Sequence, residues 1–151
     1  MTSIPWELFD EYTTSDCPMP GVGMVFLPRD ETRRDAIKKM MEDVCISNEL
    51  KFLGWREVPV NPSVLGEMAY AARPSVWQCF VRTPERLHDD SDRDGFERTL
   101  YLVRRRFEVE RQLRELVWDD DDSEVYVASF SSRTIVYKGM VQSEVLPAFY
   151  E

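Results

Sequence analysis

The stretch SFSSRTIVYKGM, residues 129–140, decides how the rest of the chain is read. Ile135, Val136 and Tyr137 in succession favour extended backbone. Arg133 and Lys138 nevertheless bring charge into the run, and Gly139 stands near its end. With the residues before it, VYVASFSSRTIVYKGM (125–140) has β character throughout. It reads either as one long strand or as two strands joined at the Ser131–Ser132 step. An edge strand can carry such charges, and so can a strand that holds a polar group inside a domain.

Outward from this run, strands and helices alternate. GVGMVFLP (21–28) is a continuous apolar run stopped by a proline, the pattern of a strand buried on both faces. Asp30 or Thr32 is placed to cap the next element. From residue 33 to 49, Ala36, Ile37, Met40, Met41, Val44 and Cys45 form a helix stripe. KFLGWREVPV (51–60) reads as a second strand, SVLGEMAYAARP (63–74) as a shorter helix stopped by Pro74, and SVWQCFVRT (75–83) as a third strand. HDDSDRDG (88–95) reads as an acidic loop. Phe96, Leu100, Val103, Phe107, Leu113, Leu116 and Val117 then mark one face of a long helix, with Glu110–Arg114 and Arg111–Glu115 as i,i+4 pairs on the wet side. Before all this, residues 4–12 form a short amphipathic turn with Pro5 at its start, and TTSDCPMPG (13–21) is a loop. A second acidic loop, DDDDSE (119–124), precedes the final β run, and the tail VQSEVLPAFYE returns as a short helix or as packing. Alternation of this kind predicts α+β or α/β architecture, with helices mostly on one side of a sheet. A ferredoxin-like sandwich fits the same order.

At 151 residues and 43% hydrophobic, the chain has material for a single domain, residues 1–151, around one core. The formal net charge of −9 argues against nucleic acid and against an anionic membrane surface. No run approaches the ~20 apolar residues of a bilayer-spanning helix. The opening MTSIPWELFDEY lacks the basic and apolar regions of a secretory signal. Cys17, Cys45 and Cys79 are scattered and odd in number, which fits a reducing compartment such as the cytoplasm. Cys45 and Cys79 are expected to be core fillers.

Few residues propose chemistry by themselves. His88, the one histidine, lies in a charged loop with no partner pattern and reads as solvated. The two Asp runs match no calcium-loop spacing, and no metal site is expected. GVG at 21–23 precedes its strand and so is not a phosphate-binding fingerprint. Arg104, Arg105 and Arg106 point in different directions on a helix. If Met1 is removed, Thr2 becomes an N-terminal threonine, a group able to act as both nucleophile and base; TSIPWELF leads into a helical turn, which speaks against it.

Four motifs, GVGMVFLPRD, LGWREVPV, FERTLYLVRR and SFSSRTIVYKGM, stand here in the order and approximate spacing of one family. They resemble the N-terminal class-II glutamine amidotransferase domain of glutamate synthase large chains, and the similarity runs from IPWELF to LPAFY. The resemblance implies part of an N-terminal-nucleophile-hydrolase αββα four-layer sandwich. It also implies a reaction. In the family, a cysteine at the mature N-terminus attacks the glutamine amide, its own α-amino group is the base, and an Asn-Gly pair supplies the oxyanion site. Ammonia then passes to a flavin-containing barrel, where 2-oxoglutarate becomes glutamate. FMN and an iron–sulfur cluster serve the full enzyme, and neither is expected in this segment.

Met1 stands where the family has its cysteine, and the glutamine-binding and Asn-Gly-Glu-Ile-Asn segments that follow YKGM in the family do not follow it here. The expectation is therefore an internal piece of the glutaminase domain, inactive alone. Its expected partners are the remainder of the glutamate synthase chain or complementing subunits, with self-association through exposed sheet edges. The family's signature strand contributes Arg133, Thr134, Tyr137, Lys138 and Gly139, expected as a structural element near the glutamine pocket, with no catalytic residue assigned. The competing readings are a non-enzymatic remnant that binds a partner protein and a ferredoxin-like regulatory domain.

Overall fold

The structure, a computed structural model, describes residues 2–13, 19–118, 125–139 and 141–150, with the side chains of 115–118 left aside. In chain order it contains β1 (Thr2–Ser3), a 3-10 turn (Trp6–Tyr12), β2 (Gly21–Leu27), α1 (Glu31–Ser47), β3 (Lys51–Glu57) and a 3-10 turn (Pro62–Val64). Then follow α2 (Glu67–Ala71), β4 (Ser75–Arg82), α3 (Asp90–Trp118), β5 (Tyr126–Ser131), β6 (Thr134–Ile135) and α4 (Leu146–Phe149). Cys17 and the acidic run 119–124 lie outside the described residues.

β2 is the organising strand. All seven of its residues are buried, as a continuous apolar run requires when both faces are covered. It lies between β4 and β5, and β3 completes the order β3–β4–β2–β5, antiparallel throughout. Val25 and Leu27 face α1 and α3; Val22, Met24 and Phe26 face the other way. Gly23 must be a glycine for space, since a Cβ there would meet Cys79 Sγ at 2.5 Å. Gly54 sits at the irregularity between β3 and β4 with φ of +154°, which a side chain would strain.

Both long helices pack on one face of this sheet. Asp30 caps α1, accepting from the Arg33 N–H at 2.8 Å. Ile37, Met40, Met41, Val44 and Cys45 of α1, with Phe96, Leu100, Val103 and Phe107 of α3, are buried against Val25, Leu27, Cys79, Val81, Val127 and Phe130. Val127 and Phe130 are three apart and would point to opposite faces of a regular strand. A register shift opposite Met24 and Val25 brings both to the helix side.

The opposite face is covered too. β1 and β6 pair in a separate two-stranded sheet, Thr2 with Ile135 and Ser3 with Thr134. Ile4, Phe9 and Ile135 from this second layer close over Val22, Met24, Val76 and Phe80. Tyr12 stacks on Phe80 with ring centroids 3.8 Å apart. The connectivity β2-α1-β3-β4-α3-β5 is that of a ferredoxin-like βαββαβ unit. A two-layer sandwich, however, leaves one sheet face to solvent, and here Val22, Met24 and Phe80 are wholly buried on that face. The architecture is α+β, with antiparallel sheets in two layers and both long helices outside the larger one.

Several sequence expectations are corrected. HDDSDRDG is not a loop throughout: α3 begins at Asp90, and Asp89 accepts from the Asp92 N–H at 2.9 Å. Acidic residues in a first turn are favoured by the helix dipole, so the same charges that suggest a loop start a helix. Leu113 is exposed and not part of the buried face. Among the described residues, α3 carries the ion pairs Arg104–Glu108 and Arg106–Glu110. The helix expected over 63–74 is limited to the five residues of α2. Of the two readings of the final β run, two strands parting at Ser131–Ser132 is the one found: β5 ends at Ser131 and β6 belongs to the other sheet.

Candidate functional site: the crossing between the two sheets

The polar residues of SFSSRTIVYKGM meet where the chain leaves the larger sheet. Ser131 Oγ donates to Glu97 Oε2 at 2.9 Å and accepts from the backbone N–H groups of Arg133 (3.0 Å) and Thr134 (3.2 Å). Ser132, buried, donates its N–H (2.5 Å) and its hydroxyl (2.6 Å) to Glu97 Oε1. Ser129 Oγ accepts from the Val136 N–H at 3.1 Å. A strand that abandons its ladder leaves backbone donors without partners. Here two serine hydroxyls and one carboxylate take them, in the manner of side-chain-supported turns.

The signature residues expected near a pocket lie along this crossing and just beyond it. Arg133 is exposed, and its Nη2 pairs with Asp94 Oδ1 at 2.6 Å; it is not a buried arginine. Thr134 is half-buried in β6, opposite Ser3. Tyr137 is half-buried and meets the Tyr150 ring edge-on at 5.0 Å. Lys138 is exposed; its Nζ donates to the Tyr126 hydroxyl at 2.6 Å and lies over that ring. Gly139 is exposed with open space around it. Of these five, only Thr134 is in a strand. Tyr150 donates to the Lys138 carbonyl at 2.7 Å, and burial pushes its phenol up to about 12.

The remaining sequence candidates are dispersed. Cys45 and Cys79 are unpaired thiols buried in the helix-side core. Desolvation pushes Cys45 up to about 12 and Cys79 well above its ordinary range. Neither is a nucleophile in that setting, nor a ligand set for an iron–sulfur cluster. His88 is exposed, its backbone N–H bonded to Asp92 at 2.8 Å. Thr2 is exposed in β1 and paired with Ile135, and the chain then enters the 3-10 turn at Trp6. Among the described residues no group of three His, Cys, Asp or Glu is placed to hold a metal. Arg104 and Arg105 both reach Glu108, while Arg106 bonds Asn48. Trp55 and Trp77 are half-exposed, with Lys38 Nζ lying 3.0 Å from the Trp77 ring centroid.

Glu97 carries no signal in its own neighbourhood. The pointer available in the sequence is that FERTLYLVRR, which contains Glu97, and SFSSRTIVYKGM recur as separate motifs of one set.

A βαββαβ sheet with helices outside it and a second sheet closed over its inner face defines an α+β domain of stacked sheets. The chain matches the model of the class-II glutamine amidotransferases over residues 1–151, and it belongs to that family. It is 40% identical over 156 residues to ferredoxin-dependent glutamate synthase of Oryza sativa, covering 99% of this chain and 9% of that protein. Against ferredoxin-dependent glutamate synthase 2 of Synechocystis it is 42% identical, with the same coverage. The glutamate synthase [NADPH] large chain of Azospirillum brasilense is 35% identical over 130 residues, 85% of this chain and 8% of that one. The chain thus spans about a tenth of the length of these relatives.

Proposed function

We propose that this chain is a segment of the glutaminase domain of a glutamate synthase. The complete domain releases ammonia from L-glutamine, and the ammonia is used in the reductive conversion of 2-oxoglutarate to L-glutamate. The observation that carries this reading is the match to glutamate synthases, over 99% of the chain for two ferredoxin-dependent enzymes and over 85% for an NADPH large chain. In this reading the four-stranded sheet with α1 and α3 is one helix-and-sheet half of an αββα four-layer sandwich, and β1 with β6 begins the second sheet. Residues 133–139, with Arg133, Thr134, Tyr137, Lys138 and Gly139, border the glutamine pocket from the edge of that second sheet.

The partners are the remainder of the synthase chain or complementing subunits. The outer strands β3 and β5 are the edges through which isolated copies would associate. FMN and the iron–sulfur cluster belong to other parts of the enzyme, and the compartment is the cytoplasm, or the plastid stroma in a photosynthetic eukaryote. The test is a chimera in which residues 2–151 replace the matching stretch of the Synechocystis enzyme, whose own N-terminal cysteine and Asn-Gly segment are kept. Glutamine-dependent ammonia release is expected. A folded chimera that makes glutamate from free ammonia but not from glutamine would reject the reading.

A further inference from the structure

We propose that Glu97 is a positioning residue for glutamine binding, acting through Ser131 and Ser132. The inference rests on the reading above that residues 133–139 border the glutamine pocket. Its geometric basis is independent of that reading. One carboxylate, half-buried on α3, accepts three hydrogen bonds from two consecutive residues, and these are the residues at which the chain changes sheets. Ser131 Oγ, oriented by its own bond to Glu97, presents its lone pairs to the N–H groups of Arg133 and Thr134. The direction in which β6 departs is therefore set from the helix on the far side of the larger sheet. β6 in turn fixes β1 by pairing and leads directly into residues 136–139.

The chemistry of the clamp predicts how substitutions behave. Ser132 presents two donors to a single oxygen, and Ser131 presents one donor to the other. Alanine at 97 removes every acceptor and leaves the buried Ser132 N–H and hydroxyl without partners. Glutamine keeps the oxygen that serves Ser132 and turns the other position into a donor, so it restores half of the clamp. A small displacement of a substrate-contacting segment is felt directly in how well the substrate is held.

The experiment uses the full-length synthase carrying this segment, with wild type, Glu97→Gln, Glu97→Ala and Ser131→Ala compared. Steady-state kinetics with glutamine are read beside glutamate formation from free ammonia, which bypasses the glutaminase domain. The expected result is a rise in the KM for glutamine of about tenfold in Glu97→Ala, with kcat changed less than twofold. Glu97→Gln should lie between that and wild type, and the ammonia-supported rate should be unchanged. If Glu97→Ala fails to fold, Ser131→Ala and Glu97→Gln carry the same test with smaller shifts. An unchanged glutamine KM in the folded variants would overturn the inference. So would a loss of kcat alone, the mark of a smaller folded fraction. Wild-type enzyme with no glutamine-dependent ammonia release would instead reject the proposed function itself.

Discussion

Glu97 Oε1 accepts both the backbone N–H and the hydroxyl of Ser132, across 35 residues of chain. The neighbouring pair, Arg133 with Asp94, joins the same two elements at 2.6 Å with both side chains largely in water. The two contacts look alike and should differ in worth. Arg133→Ala removes an exposed ion pair and should cost less than about 1 kcal/mol. Ser131→Ala strands the N–H groups of Arg133 and Thr134 and should cost about 1–3 kcal/mol. Urea denaturation of the two variants reads the difference. Equal costs would mean the serine scaffold does not hold the crossing.

This contrast also marks what a sequence can disclose. β2, α1 and β4 are legible because their burial is written locally, as an apolar run or a 3.6-residue stripe. The buried part of α3 is legible for the same reason, through Phe96, Leu100, Val103 and Phe107. The start of α3 is not, because Asp89, Asp90 and Asp92 suit a solvated loop and a helix N-terminus equally well. Whether 125–140 is one strand or two depends on Glu97, 34 residues before Ser131. No local pattern reports such a partner. The family motifs place the five signature residues, yet their contacts with Asp94, Tyr126 and Tyr150 are tertiary and come only with the structure.

Stability should fall on the alkaline side. Tyr150 has an ordinary value of 10.0 and is pushed up to about 12, and Cys45 rises from 9.0 to about 12, in both cases chiefly by burial. With folded values above unfolded ones, these groups contribute fully below the unfolded values. Their contribution is lost as pH rises towards 12, because the unfolded chain releases protons that the folded chain retains. Between pH 10 and 12 the slope should lessen in Tyr150→Phe by up to ~1.4 kcal/mol per pH unit. Urea titrations at stepped pH give that slope. A variant with the wild-type slope would show that Tyr150 titrates as freely folded as unfolded.

The two core thiols should be inert while the chain is folded. Cys45 and Cys79 are both wholly buried, and desolvation suppresses the thiolate that an alkylating reagent needs. In a Cys17→Ser background, iodoacetamide at pH 8 should label neither residue natively and both in urea, as read by mass spectrometry. Native labelling of Cys45 at the rate of a small-molecule thiol would contradict the buried packing of α1 on the sheet.

The packing around Gly23 sets the last test. Gly23 and Cys79 are register partners on β2 and β4, and a Cβ at position 23 would lie 2.5 Å from Cys79 Sγ. Real Cβ atoms essentially never approach so closely, so Gly23→Ala must displace the sulfur or the strand. Both lie in a core whose neighbours on α1 and α3 leave little room, and overpacking of this kind costs about 1–3 kcal/mol. Cys79→Ala alone leaves a small cavity and also destabilises. In the double variant the new methyl occupies the space the sulfur vacates, so the two costs should not add. The coupling should favour the double variant by at least ~1 kcal/mol. Phe130 limits the recovery, because its Cδ2 would lie 3.3 Å from the same Cβ. Chemical denaturation of the four proteins in the cycle measures the coupling. Strict additivity would show that the cost at position 23 does not come from the sulfur beside it.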